Sequence, residues 1–353
     1  MADLLPYFMY IVMSIEAPLA ESDRSERKSA LYPEFLACLP SPPPRHTHIE
    51  PRRCIRVGLG AWTPSASTDQ RVHYGGRASP TIRKAVMNRR NDRQSFLGEG
   101  SETTLANSRV AIVGLCGGGS QIAQQLAHVG VGDFVLIDPD VVEESNLNRM
   151  VGSRPEDAVH KRQKTVVISK MIRAIAPQSR INAIVSPWEQ ASQFLLDRTV
   201  VFGCVDSFRV RGELEAFCRR YLIPFIDIGM DVSSNDSEYC ISGQVVVSLP
   251  GGPCMRCIGY LTESILAQEA GRYGDAGERP QVIWPNGVLA SLAVGQFVQL
   301  VTPWHSQPLK PYLQYDGIRQ IVMASPICNL GGTPTCPHFR SVEVGDPFIH
   351  RSR

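Results

Sequence analysis

Residues 109–126 read Arg-Val-Ala-Ile-Val-Gly-Leu-Cys-Gly-Gly-Gly-Ser-Gln-Ile-Ala-Gln-Gln-Leu, a run that few folds accommodate. The β-branched stretch 109–113 predicts a buried strand, and the residues from Ser120 onward predict a helix. Between them, glycines bring backbone N–H groups close to an anion lying at the positive end of that helix. A phosphate-bearing ligand is therefore expected at Gly114, Gly117 and Gly119. A second strand, 134–137, ends in Asp138, about twenty residues beyond the glycines, where a dinucleotide fold places an acid on a ribose hydroxyl. On these residues alone, NAD and ATP both remain open.

The residues that follow separate the two ligands. They read Asp138-Pro-Asp140-Val-Val-Glu-Glu-Ser-Asn146-Leu-Asn148-Arg149, then Asp157-Ala-Val-His-Lys-Arg-Gln-Lys164, then Val205-Asp206 after another β-branched strand. From about residue 91 to residue 339, this pattern resembles the ThiF/MoeB/HesA family, prokaryotic relatives of the ubiquitin-activating enzymes. The resemblance implies ATP at the glycine turn, with Asp138 on the ribose and Asp140 beside it. Asn146 and Asn148 are expected on phosphate or ribose, and Arg149 on the transferring phosphoryl group, which a guanidinium clamps bidentately. Lys164 matches the lysine that reaches the triphosphate, with Lys161 its nearest competitor. Asp206 matches an aspartate associated with Mg2+, an ion held by carboxylates and phosphate oxygens. Arg93 matches an arginine given to a neighbouring subunit's nucleotide, which implies a homodimer. Two positions depart from the family pattern: Cys116 stands where glycine is usual and Ser207 where asparagine is frequent. A thiol side chain at 116 is tolerated if the backbone there needs no positive φ.

Strand and helix signals continue to alternate: a helix over 161–176 stopped by Pro177, strands at 181–185 and 199–203, an amphipathic helix over 209–221 and a strand at 225–228. Such alternation predicts an α/β fold, a Rossmann-like parallel sheet with helices on both faces. Ligands bind at the carboxyl ends of such strands, where the glycine turn, Asp138 and Asp206 fall. Beyond 228 the pattern changes to a strand at 243–249, a long apolar helix at 285–301 and a hairpin at 312–323. The sheet is expected to continue there with antiparallel strands. This organisation predicts an ATP-binding half, 87–250, a half at 251–340 that binds substrate and zinc, and a tail at 341–353. The charged, glycine-containing stretch 259–279 matches the family's crossing loop.

Residues 1–86 show no sustained period and read as disordered. Met87 begins a stretch like the ordinary start of a ThiF-type domain, so translation from Met87 is a second expectation for this region. A net charge of +2 over 353 residues argues against a dedicated nucleic-acid binder. No apolar run approaches the roughly eighteen residues of a membrane helix, and a cytoplasmic location is expected.

Ten cysteines in such a chain suggest metal ligation or free thiols ahead of disulfides. Cys254 and Cys257 form a C-x-x-C pair, and Cys328 and Cys336-Pro-His338-Phe339 follow at the end of the domain. The family pairs two C-x-x-C motifs around a structural zinc. Here Phe339 replaces the last cysteine, so Cys328 or His338 is expected to complete a Zn2+ site with Cys254, Cys257 and Cys336. Cys204 and Cys218 lie in apolar segments and read as core.

The expected activity is ATP-dependent adenylation of the C-terminal carboxylate of a small ubiquitin-like or sulfur-carrier protein, or a peptide. The resemblance implies a partner of β-grasp type ending in Gly-Gly. No cysteine lies between Cys257 and Cys328, so the crossing loop lacks a nucleophile and the reaction is expected to stop at the acyl-adenylate. Cys240 is the nearest upstream thiol not otherwise assigned. The alternatives are an NAD(P)-dependent oxidoreductase built on the same turn, and an inactive ThiF-like binding partner.

Overall fold

The computed structural model describes residues 90–235, 238–271, 280–325 and 336–339. The N-terminal extension, the 341–353 tail, Cys328 and the end of the 259–279 stretch lie outside the described residues. Strands β1 (Arg109–Val113), β2 (Asp133–Ile137), β3 (Arg180–Ile184), β4 (Val200–Gly203), β5 (Phe225–Asn235), β6 (Glu238–Ser248), β7 (Tyr312–Asp316) and β8 (Ile321–Ala324) form one sheet in the order β3-β2-β1-β4-β5-β6-β7-β8. Its first five members pair in parallel and β5 to β8 pair antiparallel, as the changing sequence pattern predicts.

The helices are α1 (Ser101–Asn107), α2 (Gly117–Val129), α3 (Pro155–Val159), α4 (Lys164–Ile175), α5 (Phe208–Arg220), α6 (Glu263–Gly271) and α7 (Ile283–Val301). Each central strand is buried on both faces, so alternate residues feed separate cores. Val110 and Ile112 join Phe134, Phe202, Ile122, Ile168, Leu289 and Phe297 on the side of α2, α4 and α7. Ala111 and Val113 join Val201, Phe225, Leu214, Cys218, Met255 and Leu261 on the side of α5.

Helix α2 begins three residues earlier than the sequence suggests, because the glycines themselves form its first turn. Helix and strand approach so closely that a Cβ on Gly119 would fall 1.8 Å from the Gly114 carbonyl oxygen. Gly114 itself has φ +88° and faces the Cys204 carbonyl. Cys116 is the N-cap at φ −82°, so it meets the condition set by the sequence: its backbone requires no glycine.

The hairpin of β5 and β6 is much longer than its apolar residues imply, eleven residues in each strand. Its outer rungs, Ser233 opposite Cys240 and Ser234 opposite Tyr239, are solvated. Backbone pairing carries the ladder beyond the core, where hydrophobic alternation no longer marks it. Cys240 therefore lies within β6, ahead of the stretch 243–249 that the sequence marks, and is exposed. Among the described residues, no helix is long and apolar enough to cross a membrane.

Candidate nucleotide and metal sites

At the carboxyl ends of β1 and β2, the backbone N–H of Leu115 donates to Asp138 Oδ2 at 2.7 Å, and that of Asp140 donates to Asp138 Oδ1 at 2.9 Å. The acid is thereby fixed against the glycine turn. Burial pushes its carboxyl group up, against the opposing pull of Lys164 and of the two N–H groups. Lys164, the first residue of α4, places Nζ 2.8 Å from Asp140 Oδ2 and 3.9 Å from Asp138 Oδ1. Burial disfavours its charge, yet the two carboxylates outweigh that cost and hold the ammonium above its ordinary value. Lys161, by contrast, sits exposed in the preceding turn at φ +44°. Of the two lysines, Lys164 is the one at the strand ends.

The Ser-Asn-Leu-Asn-Arg stretch winds through a short 3-10 turn, Glu144–Asn146. Asn146 is buried, and its Oδ1 accepts the Glu143 N–H at 3.1 Å, so it caps this turn. Asn148 Nδ2 reaches across to the Gln281 carbonyl at 3.0 Å. Arg149 Nη1 donates to the Ser145 carbonyl and, at 3.0 Å, to Asn148 Oδ1. Its Nε is buried with no hydrogen-bond partner among the described residues, an uncompensated donor on a cationic group. Ser120 Oγ, from the first turn of α2, accepts the Val151 N–H at 3.0 Å, which anchors the end of this loop to the glycine helix.

Asp206 follows β4 and is exposed. Arg93 is also exposed, in the 3-10 turn Asp92–Leu97.

The sequence gives no warning of one further set of charges. Arg211, Glu215 and Arg219 recur every fourth residue on α5, a spacing that ordinarily marks a solvated helix face; all three are buried. Arg211 Nη1 donates to the Asp227 carboxylate and to the Ile228 carbonyl, the latter at 2.7 Å. Glu215 Oε1 accepts the Met255 N–H at 2.8 Å. Arg219 donates to Ser248 Oγ at 2.9 Å and to the Leu249 and Gly252 carbonyls. Their partners lie up to 40 residues away, so no local pattern announces them.

Beside this face, Cys254, Cys257, Cys336 and His338 converge, with all four donor atoms within 4.8 Å of one another. The Cys257 sulfur lies 3.6 Å from that of Cys254 and 3.5 Å from that of Cys336. His338 Nδ1 lies 3.5, 3.4 and 4.0 Å from the Cys254, Cys257 and Cys336 sulfurs. Tetrahedral zinc with bonds of about 2.3 Å separates two sulfurs by about 3.8 Å, so the arrangement suits that ion. Of the two expected fourth ligands, His338 is at the cluster and Cys328 is outside the described residues.

Comparison with known proteins follows the same lines. The ThiF family matches residues 89–336. The chain is 30% identical over 164 residues to the SAMP-activating enzyme E1 of Haloferax volcanii, across 46% of this chain and 57% of that one. It is 28% identical over 241 residues to the molybdopterin-synthase adenylyltransferase of Escherichia coli, across 65% of this chain and 90% of that one. The crystal structure of E. coli MccB with ATP shares the fold, with a TM-score of 0.55 at 19% identity, covering 67% of this chain and 70% of that one.

Proposed function

The chain belongs to the ThiF family, and from that premise we propose that it is an ATP-dependent adenylyltransferase. It activates the C-terminal carboxylate of a small ubiquitin-like or sulfur-carrier protein, or of a peptide. The observations that carry this reading are two cationic side chains, Lys164 at the strand ends and Arg149 in the loop anchored to the glycine helix. Lys164 is charged between Asp138 and Asp140, and Arg149 presents a buried Nε without a partner among the described residues. A triphosphate supplies the acceptor that the Arg149 Nε lacks and further negative charge for the Lys164 ammonium. The glycine turn suits the phosphates, and Asp138, held by two backbone N–H groups, has lone pairs left for ribose hydroxyls.

In the reaction, a carboxylate oxygen of the partner attacks the α-phosphorus of ATP. The new P–O bond gives the acyl-adenylate, and the bond to the bridging oxygen breaks to release pyrophosphate. Arg149 and Lys164 stabilise the charge that builds on the phosphoryl oxygens. Asp206 holds Mg2+, which neutralises phosphate charge. Asn146 keeps the loop in shape and Asn148 ties it to the segment ahead of α7. Arg93, exposed near the amino end of the domain, serves the nucleotide of the second subunit in a homodimer. Cys254, Cys257, Cys336 and His338 hold a structural Zn2+, and the protein works in the cytoplasm on a partner ending in Gly-Gly.

The test is exchange of labelled pyrophosphate into ATP, with a recombinant β-grasp sulfur-carrier protein ending in Gly-Gly as the probe. Exchange that depends on this carboxyl terminus is expected. Tight binding of NADH without binding of ATP would overturn the reading in favour of an oxidoreductase, and ATP binding with no exchange would point to an inactive partner.

A further inference from the structure

Helix α5 starts two residues after Asp206, with Ser207 as its N-cap. Its first turn offers the N–H groups that any helix leaves without internal partners. A carboxylate from another element takes two of them: Glu269, on α6, accepts the Phe208 N–H at Oε1, 2.8 Å, and the Arg209 N–H at Oε2, 2.9 Å. Ser207 Oγ lies 3.4 Å from Glu269 Oε2 and itself accepts the Val210 N–H at 3.3 Å. The first turn of α5 is thus saturated. The stretch leading to α6 is seated on the same helix by other contacts. Tyr260 packs on Phe208 with ring centroids 5.8 Å apart and takes a 2.7 Å hydrogen bond from Gln244 Nε2, and Leu261 lies against Gly212.

Asp206 is where the competition falls. An aspartate two residues ahead of a free backbone N–H ordinarily folds its carboxylate onto that N–H as an Asx turn. For Asp206 that donor is Phe208 N–H, and Glu269 already occupies it. Asp206 accordingly remains exposed, with no hydrogen bond or ion pair to any described residue.

We propose that Glu269 is a positioning residue for the nucleotide-bound metal: by capping α5 from α6, it keeps the Asp206 carboxylate off the helix end and available to Mg2+. The inference rests on the adenylyltransferase reading and adds a residue to it. It also makes the placement of the 263–271 helix a condition for metal binding at a carboxylate on a different element.

The test uses the full chain and needs no partner protein. ATP binding is measured by titration calorimetry with Mg2+ and again with EDTA, for wild type, Glu269→Ala, Glu269→Gln and Asp206→Asn. Hydrogen exchange of the Phe208 and Arg209 amides is followed in parallel. Wild type should bind MgATP more tightly than metal-free ATP. Glu269→Ala should weaken MgATP by about threefold to tenfold, leave the metal-free affinity within about twofold, and speed exchange at both amides. Glu269→Gln, which keeps one acceptor oxygen, should recover part of the loss and carries the same test if the alanine variant fails to fold. Asp206→Asn should abolish the gain from Mg2+, and removing Glu269 in that background should change nothing more. A full gain from Mg2+ in a folded Glu269 variant overturns this inference alone. Absence of ATP binding by wild type sinks the functional reading and this inference together.

Discussion

Arg211 and Asp227 form a fully enclosed ion pair that ties α5 to β5 directly behind the strand ends. Only one carboxylate oxygen is engaged: Asp227 Oδ1 is buried with no partner among the described residues. Burial accordingly pushes the Asp227 carboxyl group up to about 7, although Arg211 pulls the other way.

That displacement gives the pair a pH signature. A carboxyl group whose value rises on folding, from 3.8 to about 7, binds more protons in the native state, so its contribution to stability falls as pH rises through that interval. Denaturant unfolding of wild type and Asp227→Asn across pH 4 to 8 is the measurement. The stability difference, wild type minus variant, should shrink from about pH 4 to about pH 7 and then level off. A difference that grows with pH over that range would falsify the assignment. Arg211→Leu, which removes the group that pulls Asp227 down, should leave Asp227 protonated at neutral pH, so that this pH dependence no longer levels off at about pH 7.

Arg149→Ala is expected to reduce pyrophosphate exchange by at least about an order of magnitude, because a charged partner of the transition state is removed. Exchange at the wild-type rate in a folded Arg149→Ala protein rules out the role assigned to it.

The metal prediction is a stoichiometry. Elemental analysis of the purified chain should find about one zinc per protomer, and chelation should lower the melting temperature, since metal-binding free energy adds to folding free energy. His338→Ala separates the two fourth ligands: it should weaken zinc retention, whereas Cys328→Ala should not. A metal-free protein with an unchanged melting temperature contradicts the whole site.

No thioester is expected. Enzyme, ATP and the Gly-Gly partner, run on gels with and without thiol, should give no thiol-sensitive adduct. Cys240 is exposed on the solvated end of β6, which makes it the residue to watch. An adduct that disappears in Cys240→Ala would establish a nucleophile there and refute the prediction.

Much of the parallel sheet is legible in the sequence because its central strands are buried on both faces and read as short apolar runs between helices. The glycine turn is legible for a steric reason, since only glycine permits the approach of Gly119 to Gly114. The choice of Lys164 over Lys161 comes from the family resemblance, since three residues of spacing alone do not reveal which lysine turns inward; in the structure Lys164 is the buried one, against Asp140. Glu215 and Arg219 escape notice. Their spacing reads as a wet surface, and only the distant Met255 and Gly252 backbone groups make burial tolerable. Glu269 is hidden in the same way, one acid among several in a charged stretch until the start of α5 is placed beside it.

Because α5 receives Glu269 and Asp227 near its start, the Met255 N–H at Glu215 in its middle, and Ser248 with the Leu249 and Gly252 carbonyls at Arg219 near its far end, it is not an exchangeable module. A chimera that transplants the nucleotide half of this chain onto a relative's substrate half would cut through that helix's partners wherever the junction fell between residues 221 and 269. The transplant that conserves them carries 206–271 as one cassette together with the Cys336 and His338 strap. Recombination within this family is therefore expected to yield folded proteins when the crossover points flank that cassette, and aggregates when they divide it.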